Sequence, residues 1–314
     1  MGILGSMKKN IVICGNADRV YAATLACLLV DFPLTINLLS DDGLSSERLQ
    51  ELVNAADLQN NIDVQLATPA IFKTADLLLI TDLQAVPADI SALDYATAIL
   101  PEFRKLIASA MANGFTGKIC LLQKYDELFT YFAWRFSGLP QSDIVGFGTF
   151  PATLLLERLL QKQLRVGRHD VRAYVVGTAQ QPIVVWSRAY VGVAPVLTLV
   201  ASETTDFDAD KMMQLEQRVQ QESGVEQFAL QAICLQTVLR ALLFEAGLLS
   251  TFTTLHPYTD DQLVAYSAPI YLSGSGTRQV TELSLTKEEQ AELAASLAVT
   301  RDMITQIEQG GLGV

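Results

Sequence analysis

From Asn10 onward, short apolar runs alternate with longer stretches in which apolar and small residues return at helical spacing. NIVIC (10–14), LTINLL (34–39), IDVQL (62–66), DLLLIT (76–81) and KICLLQ (118–123) have the length and branching of strands. The last two are almost continuously apolar, as strands covered on both faces are. VYAATLACLLV (20–30), PEFRKLIASAMAN (101–113) and ELFTYFAWRFSG (127–138) read as helices, the second stopped by Gly114 and the third by Gly138 and Pro140. Strand and helix in alternation predict an α/β fold with a doubly wound parallel sheet.

After Thr149 the pattern changes. A leucine-dense helix (152–164) leads to two adjacent strands, VRAYVVG (171–177) and PIVVWS (182–187), and then to two long helices (209–222 and 225–246). VAYSAPIYL (264–272) and QVTELSL (279–285) read as an antiparallel pair across Gly274 and Gly276. Thr286 and Glu289 form a capping box for a final helix. The expectation is two domains, 7–149 and 150–314, the second of α+β type, with MGILGS (1–6) a leader outside the fold.

Composition narrows the functions. Half of the 314 residues are apolar and 18% are charged, which excludes long disordered segments. The net charge of −12 repels a polyanion, so nucleic acid is not an expected partner. No apolar run reaches the length of a membrane span, and a cytoplasmic protein without a membrane partner is expected. Cys14, Cys27, Cys120 and Cys234 lie far apart in apolar runs and suit neither a disulfide scaffold nor a zinc site. His169 and His256 are the only histidines, and both read as solvated loop residues, His169 in a polar turn and His256 beside Pro257.

The turn after the first strand reads Gly15-Asn16-Ala17-Asp18-Arg19-Val20, where a dinucleotide-binding chain carries G-x-G-x-x-G. Only the first glycine is present. Ala17 adds a methyl where a pyrophosphate approaches the backbone, Val20 a branched side chain where helix packs on strand, and Asp18 a negative charge that Arg19 could offset. Gly15, Asn16 and Ala17 are therefore the candidate contacts of a weak or absent nucleotide site.

These residues, with 75–81 and above all the stretch 93–196, resemble the L-lactate/malate dehydrogenase family. NGFTGKICLL (113–122), LFTYFAWRFSGLP (128–140), DIVGFGT (143–149) and VRAYVVG followed by VVWSRAYVGV (171–193) carry the likeness, and PIYLSGSGTRQV (269–280) with its capped helix fits the tail. The resemblance implies a Rossmann domain followed by the family's α+β substrate domain. It adds Thr81 and Asp41 as cofactor contacts, the latter beside Ser40, which aligns with the ribose-binding acid. NAD, weakly bound or not at all, is the implied cofactor.

The same comparison removes the family's chemistry. Ala179 stands at the catalytic histidine, Ala152 at its orienting aspartate, Leu155 at the carboxylate-clamping arginine, Ala92 at the carbonyl-polarising arginine and Lys124 at the asparagine near the nicotinamide. Reducing a 2-oxo acid needs an acid, a cation for the carboxylate and a donor for the developing alkoxide. The leading expectation is a non-catalytic binding or interaction protein on a dehydrogenase scaffold. The alternative is an NAD-dependent L-2-hydroxyacid (L-lactate) dehydrogenase with rearranged groups. Two further expectations follow. Helices 101–113 and 152–160, rich in apolar residues, would pack across a two-fold axis of a homodimer or homotetramer. Lys124 and Glu226 would pair in the altered substrate pocket, which could still take a small-molecule ligand.

Overall fold

The structure, a computed structural model, describes residues 8–39, 43–85, 90–202, 205–223, 228–244, 246–259, 262–280 and 282–310. β1 (Lys9–Cys14), α1 (Ala17–Cys27), β2 (Leu34–Leu39), α2 (Ser46–Asp57), β3 (Ile62–Ala67), β4 (Leu77–Thr81), α3 (Ala92–Ala112), β5 (Lys118–Leu122), α4 (Asp126–Ser137) and β6 (Ile144–Gly146) form the first half. Its strands are all parallel, in the order β3-β2-β1-β4-β5-β6. Burial on both faces explains the apolar runs. Ile11, Ile13, Leu77 and Leu79 face the core that includes α1, α2 and the later helix α8, whereas Val12, Cys14, Leu78 and Ile80 face the one that includes α3 and α4. The direction of winding reverses between β1 and β4, the switch point at which open α/β sheets bind ligands.

The second half continues with α5 (Phe150–Leu164), β7 (Val171–Arg172), β8 (Val175–Gly177), β9 (Pro182–Val184), β10 (Tyr190–Val191), β11 (Ala194–Pro195), α6 (Val196–Val200), α7 (Ala209–Ser223), α8 (Phe228–Leu243), β12 (Leu248–Thr259), β13 (Gln262–Ser273), β14 (Gly276–Arg278) and α9 (Lys287–Gln309). The parallel sheet runs on through β12, β13, β8 and β9 with antiparallel pairing, and β14 adds to β13. Thr286 caps α9 with both bonds of the expected box.

Several local expectations need correction. The strand expected at 279–285 is absent among its described residues; β14 ends at Arg278. Leu283 and Leu285 pack on Val176, Ile183 and Val185 instead, and Arg188 Nε donates to the Ser284 carbonyl. The runs 171–177 and 182–187 are broken, because Val171 and Arg172 turn aside to pair with β10, and Trp186–Arg188 is a single 3₁₀ turn. The helix expected from residue 101 starts at Ala92, where Ser91 Oγ accepts the Asp94 N–H, and carries Pro101 inside it at an exposed position. Its apolar residues Phe103, Ile107 and Ala110 are buried within the chain, as are Leu156, Leu159 and Leu160 of α5, so the surplus that suggested a two-fold contact there is covered internally.

β12 was not expected; its sequence is rich in hydroxyls and carries His256-Pro257 inside the strand. It lies fully paired with β13 from Leu248 opposite Leu272 to Pro257 opposite Leu263. Its buried hydroxyls are matched: Thr253 with Ser267 at 3.0 Å and Thr251 with Thr153 at 2.7 Å. Thr253 also stands opposite Gly146, the register that joins β6 to β12.

Gly146 and Gly148 explain the G-F-G spelling at this joint. A Cβ on Gly146 would overlap the Asp126 carboxylate, and one on Gly148, whose φ is +48°, would overlap the Ser267 and Thr253 hydroxyls. Gly148→Ala should cost about 2–4 kcal/mol, combining a strained conformation with overpacking. Urea titration checks this, and a loss under about 0.5 kcal/mol, the range of an ordinary surface substitution, would mean that the joint is not close-packed.

Candidate functional site

The crevice at the carboxyl ends of β1 and β4 is where the chain could receive a dinucleotide. Gly15 leaves β1 in close contact with β4, since a Cβ there would overlap Thr81 Oγ1. Asn16 caps α1, its Oδ1 accepting the Arg19 N–H at 3.2 Å. Ala17 is the first residue of the helix and partly exposed. Thr81 is fully buried and donates to the Cys14 carbonyl at 3.1 Å, so its hydroxyl ties the two strands together. Gly15, Asn16, Ala17 and Thr81 thus meet at one place. Asp41, with Ser40, lies outside the described residues.

One residue that the sequence reading passed over organises this crevice. Asp82, just past β4, accepts the Asn16 backbone N–H and the Asn16 Nδ2 on its carbonyl, each at 2.8 Å. Its carboxylate pairs with Arg19 Nε at 3.0 Å and accepts from the Tyr95 hydroxyl at 3.1 Å and the Lys124 N–H at 2.8 Å. The Arg19 and Asp82 side chains are only 18% and 13% exposed. Arg19 therefore answers Asp82 and not Asp18, contrary to expectation. Asp18 is exposed and pairs with Arg48 of α2 at 2.6 Å. The available signal was an acid directly after an apolar strand at the switch point.

Lys124 sits at the start of the β5–α4 turn, where Tyr125 takes a left-handed φ of 57°. The Lys124 ammonium lies over the rings of Tyr125 and Tyr95, 5.2 and 6.0 Å from their centroids. Glu226, its expected partner, is outside the described residues. Ala152 is buried in the first turn of α5, Leu155 packs into the cluster around Leu156, and Ala179 lies in the turn after β8. None of the three carries a titratable group. Ala92 opens α3.

Asp126 and Glu127 begin α4 fully inside the protein. Asp126 Oδ2 accepts the Gly148 N–H at 2.6 Å, and the carboxyl also bonds to Thr253 and Glu127. Burial raises Asp126 to about 6; burial, then the charge of Asp126, holds Glu127 well above the usual carboxylate range. Glu127 Oε2, Thr130 Oγ1 and both polar atoms of the Gln123 amide have no hydrogen-bond partner among the described residues.

His256 is a further correction. It is buried in β12, its Nε2 lies 2.9 Å from Thr254 Oγ1, and its ring packs on Tyr266. Desolvation lowers its pKa to about 4. His169 is in an exposed turn as expected, at the edge of a cavity of about 780 Å³ whose lining includes Arg158, Arg168, Arg172 and Glu157. All four cysteines are buried, and burial raises Cys27 and Cys234 to about 12. No cluster of metal-ligand residues occurs among the described residues, and no described helix is long and apolar enough to cross a membrane.

Residues 153–310 match the family described as lactate/malate dehydrogenase, alpha/beta C-terminal domain. The L-lactate dehydrogenase of Bacillus pumilus is 26% identical over 308 residues, 95% of this chain and 96% of that protein. That of Geobacillus stearothermophilus is 28% identical over 222 residues, 68% of this chain and 70% of the relative. Among solved structures, the ligand-unbound minor L-lactate dehydrogenase of Enterococcus mundtii superposes with a TM-score of 0.82 at 19% identity, covering 97% of this chain and 99% of that one. Plasmodium falciparum malate dehydrogenase gives 0.83 at 16%, covering 96% and 99%.

The buried acids and His256 give opposing pH dependences. Asp126 and Glu127 hold protons more tightly folded than unfolded, so their contribution is complete below the unfolded carboxylate range, about pH 4; that of Asp126 is lost as pH rises through about 6, and that of Glu127 as pH rises well above the usual carboxylate range. His256 contributes fully above its unfolded value of about 6.5 and loses that contribution as pH falls toward 4. Glu127→Gln weakens the first effect, so its Tm should climb more steeply than wild type between about pH 4.5 and 6.5, the span between the unfolded carboxylate and histidine values. Calorimetry across that window checks it; parallel profiles count against the carboxyl pair.

Proposed function

The chain belongs to the lactate/malate dehydrogenase family, and from that premise we propose that it is a binding member of the family that has lost the redox chemistry. The observation that carries this reading is the set Ala152, Leu155 and Ala179, three aliphatic side chains where the family resemblance puts an aspartate, an arginine and a histidine. Loss of a positioned acid–base group alone forfeits about 10²- to 10⁴-fold in rate. Loss of a clamping guanidinium removes a charge-assisted contact of about 1.5–3 kcal/mol. His256 is no substitute, being buried in β12 against Tyr266, and His169 is an exposed turn residue.

On this reading NAD binds weakly or not at all, because Ala17 and Val20 crowd the turn and Arg19 is engaged with Asp82. The division falls at residues 149 and 150, giving a Rossmann unit over 7–149 and a substrate-domain-like unit over 150–314. A small anionic ligand suits the 780 Å³ cavity, since among the described residues Arg158, Arg168, Arg172 and His169 line it with a single carboxylate, Glu157. Self-association as a homodimer or homotetramer is assigned to the packed helices α1 and α8, which expose Leu25 (39%) and Ile233 (68%). Ile233→Asp should halve the mass seen by light scattering at micromolar concentration if the state is a dimer, and an unchanged mass removes α8 from the interface.

A second reading, an NAD-dependent L-2-hydroxyacid dehydrogenase with rearranged catalytic groups, is favoured by the names and coverage of the Bacillus pumilus and Geobacillus stearothermophilus relatives, both L-lactate dehydrogenases. One pair of measurements separates the two. Titration of NADH fluorescence and NADH consumption with pyruvate and longer 2-oxo acids should both give no signal above buffer. Saturable NADH binding with turnover of any 2-oxo acid establishes the second reading.

A further inference from the structure

We propose that Asp82 is an internal stand-in for an anionic ligand, a latch that fills the diphosphate position of the crevice with the chain's own carboxylate. Three donors from three separate elements converge on that carboxylate: the Arg19 guanidinium from α1, the Tyr95 hydroxyl from α3 and the Lys124 main-chain N–H from the β5–α4 turn. A guanidinium, a phenol and a backbone amide aimed at one point are the chemistry by which proteins hold oxyanions. The amino end of α1 adds its own partial positive charge beside them. The group they hold is a side chain, 13% exposed, and its carbonyl is bound twice by Asn16. The donors of an anion site are thus assembled at the switch point of the sheet, and the chain itself satisfies them.

A ligand diphosphate would have to displace this carboxylate, and its charge would meet Asp82 at close range. Removing the carboxylate reverses both effects: Arg19, Tyr95 and Lys124 lose that partner, and the local charge becomes one unit more positive. The Asp82 variants should therefore acquire affinity for a diphosphate. This inference rests on the reading that the wild-type crevice holds a dinucleotide weakly at most.

The test compares wild type, Asp82→Ala and Asp82→Asn by titration calorimetry and thermal shift, with inorganic pyrophosphate and with ADP as separate probes. Asp82→Ala should bind pyrophosphate at least about tenfold more tightly than wild type, the scale of one charge-assisted contact. Adding Arg19→Gln should abolish the gain. ADP binding tighter than pyrophosphate would extend the site to a nucleotide, whereas equal affinity limits it to the diphosphate. Asp82→Asn keeps the shape and the backbone contacts, so it should show a smaller gain in the same direction even where Asp82→Ala folds poorly. A folded variant with wild-type pyrophosphate affinity overturns the latch, as does a gain that survives Arg19→Gln. Tight NADH binding by wild type is a different outcome: it overturns the premise of a closed crevice, and the latch with it, whereas failure of the variants leaves the loss of redox groups at Ala152, Leu155 and Ala179 untouched.

Discussion

The fold depends on one close approach. The parallel half and the antiparallel half of the sheet are joined through Thr253 opposite Gly146, both of them buried. A buried polar joint is tolerable only where each group finds a partner. Here Asp126 takes the Gly148 N–H, Ser267 takes the Thr149 N–H, Thr149 donates to the Val175 carbonyl, and Thr153 accepts the Val175 N–H. Hydroxyls thereby do across β6, α5, β8, β12 and β13 what a main-chain ladder does elsewhere. Two glycines leave room for them, so the G-F-G turn is a packing device and not a phosphate loop.

Stiffness at that joint holds α4 and α5 in place, and α5 carries Ala152 and Leu155, two of the aliphatic side chains on which the proposed function rests. Ala152 and Leu155 fit the α5 core with no polar partner to find, whereas an arginine or aspartate there would need one. Asp126 and Glu127 place carboxyl groups beneath the crevice, raised by burial and bonded to each other. Polar character is thus concentrated in the structural joint and scarce around Ala152 and Leu155.

Elsewhere in the same sheet, the switch point between β1 and β4 is held by side chains far apart in sequence. Asn16 and Asp82 are 66 residues apart, and Asp82 and Lys124 are 42 apart. The likeness to L-lactate dehydrogenases extends through this region, where the Arg19 guanidinium, the Tyr95 hydroxyl and the Lys124 N–H are engaged by the Asp82 carboxylate. A family likeness does not by itself fix the local chemistry, which must be read from the residues themselves.

The parallel half was legible in the sequence because its signals are local. A strand buried on both faces must be apolar at successive positions, so NIVIC, DLLLIT and KICLLQ declare themselves, and Thr286 with Glu289 caps α9 through three residues of chain. The aliphatic side chains at 152, 155 and 179 were equally visible, being matters of identity and not of geometry. What the tertiary structure decided is wherever distant segments meet. β12 is a strand because β13 pairs with it and hydroxyls on neighbouring elements satisfy its threonines. His256 is buried because that strand is. Asp82 acquires its partners because four elements end at one crevice. Periodicity records which face of an element avoids water, but not which polar group will find another across the fold.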